Sequence, residues 1–310
     1  MEVSNMFDTK SIVFIDNLEF WFCRCGLTNS FSVYYNKPDS EKPIAIYNES
    51  EDKLDLNAEA GPFEDNIESK IRSAFYIFKD GRPEYEVGRF IDSKLLADNA
   101  DPTCIDTRCY LFDKILAGAI CMHIEHSKVP SSANDSGVTY AARCINWLRS
   151  TDFYNSPAST RFHEAIPNGL LLHTLKVLNQ VYQLMSLPAF SSVKLHEAAI
   201  VALAHDWCKI GTYESYMKNV KDESTGVWNK VPAYKHKDTS IPFGHGVSSM
   251  YIAQRFVYMN MQQALAIRWH MGRWYVSDSE MNDLQNANEN YPLVHLLQFA
   301  DQLAITNYAN

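Results

Sequence analysis

The sequence predicts a mainly α protein: a helical C-terminal bundle over residues 138–310, preceded by a smaller mixed α/β region over 1–130. Three observations carry this. After residue 137, apolar residues recur at helical spacing in segment after segment, whereas the first fifty residues hold short β-branched and aromatic runs separated by Asn, Pro, Asp and Ser. Between the halves, SKVPSSANDSG (127–137) breaks both patterns and reads as a linker. A content of 46% hydrophobic and 13% aromatic residues suits a packed core and excludes a disordered chain.

Taken in order, SIVFIDNLEFWF (11–22), SFSVYY (30–35) and PIAIYN (43–48) read as strands. Their aromatics, among them Phe20, Trp21 and Tyr34, are expected in a core, with base stacking as the alternative. NIESKIRSAFYIF (66–78) spaces Ile67, Ile71, Phe75 and Ile77 as a helix does, and DGRP (80–83) signals a turn. YLFDKILAGAICMHIEH (110–126) is apolar nearly all round, so a buried helix is expected. Helices are expected over 138–150, 169–186, 193–207, 247–259, 261–271 and 291–308. The polar insertion at 212–244 includes GVWNKVPAY, which suits a hairpin, and no internal repeat is present.

No run of about 18 apolar residues occurs, so a membrane partner is not expected. The opening MEVSNMFDTKS has neither the basic nor the apolar region of a secretory signal, and a cytoplasmic location is expected. Seven scattered cysteines do not form a disulfide framework. Cys23 and Cys25, or Cys104 and Cys109, lack the usual zinc-ligand spacing and nearby histidines, so buried thiols are expected instead. A net charge of −9 without a dense lysine or arginine cluster favours a small substrate over a long nucleic-acid duplex.

Polar residues interrupt apolar helices at particular points in the second half. His173 interrupts GLLLHTLKVL, His205-Asp206 ends AIVALAHDW, His245 stands in FGHGVSS, His270 ends ALAIRWH, and Asp301 lies inside LLQFADQLA. Each alone has an ordinary explanation, such as a satisfied core hydrogen bond, a helix cap or an ion pair. Together, one explanation covers all six: they converge on divalent cations, with a carboxylate able to bridge two ions. Imidazole and carboxylate ligands suit Mn, Fe, Co, Ni or Zn, with Mg possible.

The order His173, His205-Asp206, Asp301 resembles the H…HD…D signature of the HD-domain metal-dependent phosphohydrolases, and LAHDWCKIG is similar to that family's LLHDxGK segment. His245 and His270 match the additional histidines of its binuclear subset, which includes cyclic-dinucleotide phosphodiesterases and nucleases. ASTRFHEAIPNGLLLHTL also resembles the lead-in of HD-type 3′–5′ exoribonucleases, with His163 at the matching histidine. The likeness covers about residues 138–310, and the N-terminal half resembles no family we can name.

The resemblance implies an all-α HD bundle and a binuclear phosphodiesterase acting on a nucleotide: a cyclic dinucleotide, a short oligonucleotide or an RNA 3′ end. A (d)NTP or nucleoside monophosphate phosphohydrolase, or a non-catalytic nucleotide-sensing module, are the alternatives. It implies that His173, His205, Asp206 and Asp301 hold one of two divalent metal ions. Asp206 would bridge, and His245 and His270 would complete the second position. Asp206 and Lys209 are the catalytic candidates; Lys209 would meet a phosphate or order Asp206, unless it is a solvated lysine at a helix C-terminus. Arg161, His163, Arg268 and Arg273 are candidate substrate contacts, with surface ion pairs as the alternative. Cys208 departs from the family's glycine and is expected to fill space. His295 is read as structural, and His123, His126, His196 and His236 lie outside the set, although His236 could reach the site from a lid. No oligomeric state is indicated.

Overall fold

Two strands, not one, come from the first apolar run. β1 (Ile12–Ile15) pairs antiparallel with β2 (Leu18–Arg24), Ile15 facing Leu18. Asp16-Asn17, a turn-favouring pair, stands between them in the sequence. The structure is a computed structural model that describes residues 12–15, 18–24, 30–35, 43–48, 51, 53–60, 62–63, 67–78, 87–97, 104–127, 137–237, 243–274 and 276–305. Cys25, the DGRP segment and most of the expected linker lie outside these residues. The chain divides into two units, Met1–Val87 with Asp113–Arg149, and Gly88–Phe112 with Ser150–Asn310.

In the first unit β3 (Ser30–Tyr35), β4 (Ala45–Asn48) and β5 (Lys53–Leu56) extend the β1–β2 pair into a five-stranded antiparallel meander. Strand alternation places Phe20, Phe22, Phe31, Val33, Ala45, Tyr47 and Leu54 on one buried face. Phe20 is thus a core residue, as expected. Against this sheet lies α1 (Ile67–Phe78), whose Phe75 ring sits 4.2 Å from Tyr47, 4.9 Å from Phe31 and 5.6 Å from Phe22. α3 (Gly137–Arg149) packs beside α1 and β1. Buried Asp113 of α2 (Cys104–Ser127) accepts two hydrogen bonds from Arg149, as a buried charge requires. Residues 138–149, expected to open the helical bundle, therefore belong with the sheet, because the buried stripe Ala141, Ala142, Ile145 and Leu148 packs there.

The second unit is helical: α4 (Gly169–Leu184), α5 (Leu195–Ala204), α6 (His245–Ala253), α7 (Met261–Trp269), α8 (Met281–Asn290) and α9 (Pro292–Ala304). α4 packs on α5 and α9, and α7 packs on α5, α6 and α9. α5 is buried from His196 to Ala204, so every side of it meets protein. The helix expected at 247–259 starts at His245 and stops at Ala253. A new helix begins at Met261, where Asn260 and Gln263 form a reciprocal capping box. The hairpin is longer than the sequence suggested: β6 (Tyr213–Lys221) pairs with β7 (Trp228–His236) along its full length. Among the described residues the fold is mainly helical, and no helix is long and apolar enough to cross a membrane.

Candidate metal centre

The expected helix over 193–207 ends early, and that ending builds the centre. α5 stops at Ala204, His205 and Asp206 form a turn, and Trp207–Lys209 make one 3₁₀ turn. His205 donates from Nδ1 to the Ala202 carbonyl at 2.8 Å. His270 repeats the device at the end of α7, donating from Nδ1 to the Ile267 carbonyl at 2.7 Å. A helix C-terminus has carbonyls without helical partners, so each histidine satisfies one and is left with a lone pair on Nε2. His173, inside α4, turns Nδ1 towards Glu164 Oε2 at 3.5 Å, and His245, at the start of α6, turns Nδ1 towards Cys208 Sγ at 3.2 Å. The four Nε2 atoms all lie towards Asp206 or Asp301.

Two close approaches of backbone put these elements in register. A Cβ on Gly246 would lie 2.0 Å from the Arg268 carbonyl oxygen, so only glycine lets the start of α6 meet the end of α7. That contact brings the His245 and His270 rings to a 5.2 Å centroid separation. A Cβ on Gly169 would lie 2.0 Å from the Glu164 carbonyl oxygen, which keeps the 158–164 loop against α4. Glu164 itself has φ 43°, a left-handed conformation held by the Ala158 N–H donating to its carbonyl at 3.1 Å.

Asp206 divides its two oxygens between two histidine pairs. Oδ2 lies 3.3 Å from His205 Nε2 and 3.4 Å from His173 Nε2; Oδ1 lies 2.8 Å from His245 Nε2 and 3.7 Å from His270 Nε2. Asp301 Oδ1 joins the first group at 3.1 Å from His173 Nε2 and 3.8 Å from His205 Nε2. Lys209 donates to Asp206 Oδ2 at 2.6 Å and is largely buried, so it orders the aspartate and is not a solvated helix-end lysine. The residues form several overlapping groups with ligand atoms within 4.8 Å of one another: His173, His205 and Asp206; His205, His270 and Asp301; and Asp206, Cys208 and His245. These are close enough to hold metal ions.

The protonation of these groups is set by the same neighbours. Burial works against the His173 cation, but hydrogen bonds to Asp301 and Glu164 outweigh it and push its pKa up to about 9. His245 goes up to about 10 against burial, through Asp206 and Cys208. His270 is pushed down to about 3 by burial and by its neighbours His205 and His245. Asp206, against its burial, is held well below the usual carboxylate range by Lys209 and His205, and Asp301 is lowered by His173 and His205. His270 is the informative member. It is 1% exposed and neutral, its Nδ1 is committed, and its Nε2 has no hydrogen-bond partner. A buried lone pair aimed at carboxylates is costly unless a cation joins them. His270 offers a neutral imidazole and Asp206 and Asp301 offer ionised carboxylates, and with the loss of one proton each from His173 and His245 these residues fit the donor set a divalent ion needs.

The six residues expected as ligands are therefore brought together. His163 is beside them: its ring lies 4.7 Å from His173, its Nε2 is buried without a partner, and burial followed by His173 and Lys209 lowers its pKa to about 4. Among the described residues the candidate arginine side chains make no hydrogen bond or ion pair with the six expected ligands, although Arg268 lines a cleft together with His245. Arg161 is exposed and stacks on Phe162, while Arg268 pairs with Glu280 at 2.9 Å and covers the Trp269 ring. Arg273 is exposed, with no contact to the cluster among the described residues.

Glu164 and Lys176 were missed. Glu164 stands behind His173, and Lys176 pairs with it at 2.6 Å; against burial, the two partners lower the Glu164 pKa to about 2. Its position directly after His163 in RFHEA was the available signal. Cys208 does more than fill space, since its thiol is the Nδ1 partner of His245. Comparison with protein-family models, curated proteins and solved structures found no match to the chain.

Proposed function

We propose that this chain is a metal-dependent phosphohydrolase of the HD-domain type, a binuclear phosphodiesterase acting on a nucleotide substrate. The observation that carries the reading is Asp206: its two carboxylate oxygens face two different histidine pairs, as a ligand shared by two ions would. His173, His205 and Asp301 would hold one ion with Asp206 Oδ2, and His245 and His270 the other with Oδ1. Divalent ions there would supply positive charge for phosphoryl oxygens and make water acidic enough to lose a proton near neutral pH.

The chain's own residues have separate duties. Lys209 fixes the Asp206 carboxylate, so both oxygens keep their directions. Ala202, Ile267, Glu164 and Cys208 set the tautomers and orientations of the four imidazoles. His163, neutral and with a free Nε2, would hydrogen-bond a substrate oxygen or hydroxyl beside the centre.

The test is metal analysis of the Mn²⁺-loaded protein, followed by a substrate panel read by chromatography. The panel covers cyclic dinucleotides, short RNA and DNA, dNTPs and nucleoside monophosphates. Two ions per chain and hydrolysis of a diester are expected. One ion at saturation overturns the binuclear reading, and two ions without turnover across the panel overturn the enzyme reading in favour of a sensing module. Turnover confined to dNTPs or monophosphates overturns the diesterase assignment.

A further inference from the structure

The β6–β7 hairpin is a long arm that the centre does not use. Each strand has nine residues, about 30 Å of extended chain. The arm grows from the centre itself. Lys209 and Tyr213 follow Asp206 in the chain, the Thr212 hydroxyl donates to the Cys208 carbonyl at 2.8 Å, and the Tyr213 hydroxyl reaches the Ala158 carbonyl at 3.4 Å. At the other root His236 stacks 5.0 Å from the Tyr213 ring.

Cross-strand partners in an antiparallel pair share a face, and faces alternate along each strand. One face therefore carries Tyr213 with His236, Ser215 with Tyr234, Met217 with Pro232, Asn219 with Lys230, and Lys221 with Trp228. No carboxylate stands on it. The opposite face carries the Glu214–Lys235 ion pair, Tyr216, Lys218, Val220 and Val231. At the tip, Asp222 folds into the turn and accepts from the Ser224 and Thr225 N–H groups. Trp228 is 66% exposed and Met217 54% exposed, and Lys221 and Lys230 make no ion pair with any described residue.

An exposed tryptophan between unpaired lysines is expensive to leave in water and matches a specific chemistry. Single-stranded nucleic acid offers unpaired bases that stack on aromatic rings and phosphates that attract lysine. In a chain of net charge −9, most of the surface repels a polyanion, so a carboxylate-free basic face localises it. We infer that this face of the β6–β7 hairpin is a binding track for single-stranded nucleic acid, leading from Trp228 at the tip to the Asp206 centre at the root. This deepens the phosphodiesterase reading and rests on it for what happens at the root: the substrate is a strand longer than the centre alone can hold.

Binding is measured in EDTA, where the centre is inactive, by anisotropy of fluorescein-labelled 20-mers of oligo(U) and oligo(dT). The two arms report whether the strand is RNA, DNA or either. Both Trp228→Ala and the double variant Lys221→Gln/Lys230→Gln should weaken binding by about tenfold or more. The double variant should also flatten the slope of log affinity against log salt by about 1.4, at about 0.7 per phosphate contact. A duplex of the same length should bind less tightly. All variants should keep wild-type thermal stability and wild-type hydrolysis of bis(p-nitrophenyl) phosphate with Mn²⁺, while losing turnover of the 20-mer.

No binding of either 20-mer at low salt overturns the proposal, as does binding that the variants leave unchanged. Sedimentation covers the rival occupant: a wild-type dimer that Trp228→Ala converts to monomer, with nucleic-acid affinity unaffected, makes the face a contact between two copies of the chain and overturns the track. Failure of the enzyme reading looks different, since bis(p-nitrophenyl) phosphate would then go unhydrolysed while the EDTA binding persisted.

Discussion

In a Gly246→Ala variant the new methyl would lie 2.0 Å from the Arg268 carbonyl oxygen, 2.7 Å from its carbonyl carbon and 2.9 Å from the Ile267 carbonyl oxygen. None of these atoms sits at the end of a flexible side chain, so the start of α6 must retreat from α7 by about 1 Å or more before the contact becomes tolerable. His245 is the preceding residue, and its Nε2 is now 2.8 Å from Asp206 Oδ1. Metal-ligand distances tolerate only about 0.2 Å, so a retreat of that size removes His245 from the second position. Overpacking costs about 1–3 kcal/mol, and a change of 1 kcal/mol moves the melting temperature of a unit this size by about 2–4 °C. The variant should melt several degrees lower, with and without EDTA, because the clash needs no metal. Elemental analysis should find one ion where the wild type holds two, and diester turnover should fall about 100-fold. Two ions and full turnover in the alanine variant would refute the argument that the glycine contact sets the His245–His270 spacing.

Asp206→Asn keeps the shape of the side chain but removes the shared charge; metal content should fall to near zero, while the circular dichroism stays that of a folded helical protein. A variant that still binds two ions would remove Asp206 as the bridge. Glu164→Gln weakens the hold on the His173 Nδ1 proton and should lower metal affinity by about 10–100-fold, as such supporting partners usually do; unchanged affinity by competitive chelation would assign Glu164 to Lys176 alone. Metal loading at pH 7 should release protons, because His173 and His245, raised to about 9 and about 10 in the metal-free centre, must lose theirs to ligate. Affinity should therefore weaken as pH falls, and titration calorimetry in buffers of different ionisation enthalpy reads the release. The same shifts give the metal-free fold a stability that is complete below the unfolded histidine pKa of about 6.5 and lost as pH rises through about 9–10. A metal-free melting temperature that rose over that range would contradict the assigned imidazole environments.

Much of this architecture was legible before any coordinates. α4 and α9 announce themselves because each shows a helical apolar stripe, and His173 and Asp301 stand out because each interrupts an apolar run. α8 was invisible: in MNDLQNANEN only Leu284 and Ala287 are buried, too few to make a stripe. The split between β1 and β2 was missed although Asp16-Asn17 interrupts the run, because the apolar and aromatic residues on both sides read as one strand until their antiparallel register is known. Proximity to a ligand in sequence did not fix the direction of the arginine side chains. Arg268, two residues before His270, turns to Glu280 and Trp269.

The sequence by itself determined which side chains carry chemistry, since a histidine or aspartate placed where an apolar residue would be cheaper has to be compensated by something. It also determined that the second half is helical and the first mixed. Only the tertiary structure decided how those residues are used. α5 ends one residue before His205, so Asp206 can turn an oxygen to each histidine pair, and Gly246 and Gly169 admit backbone contacts that no local pattern encodes. Glu164 and Cys208 became partners of His173 and His245 for the same reason: a hydrogen bond depends on separation in space, and these pairs are brought together by packing between elements far apart in the chain.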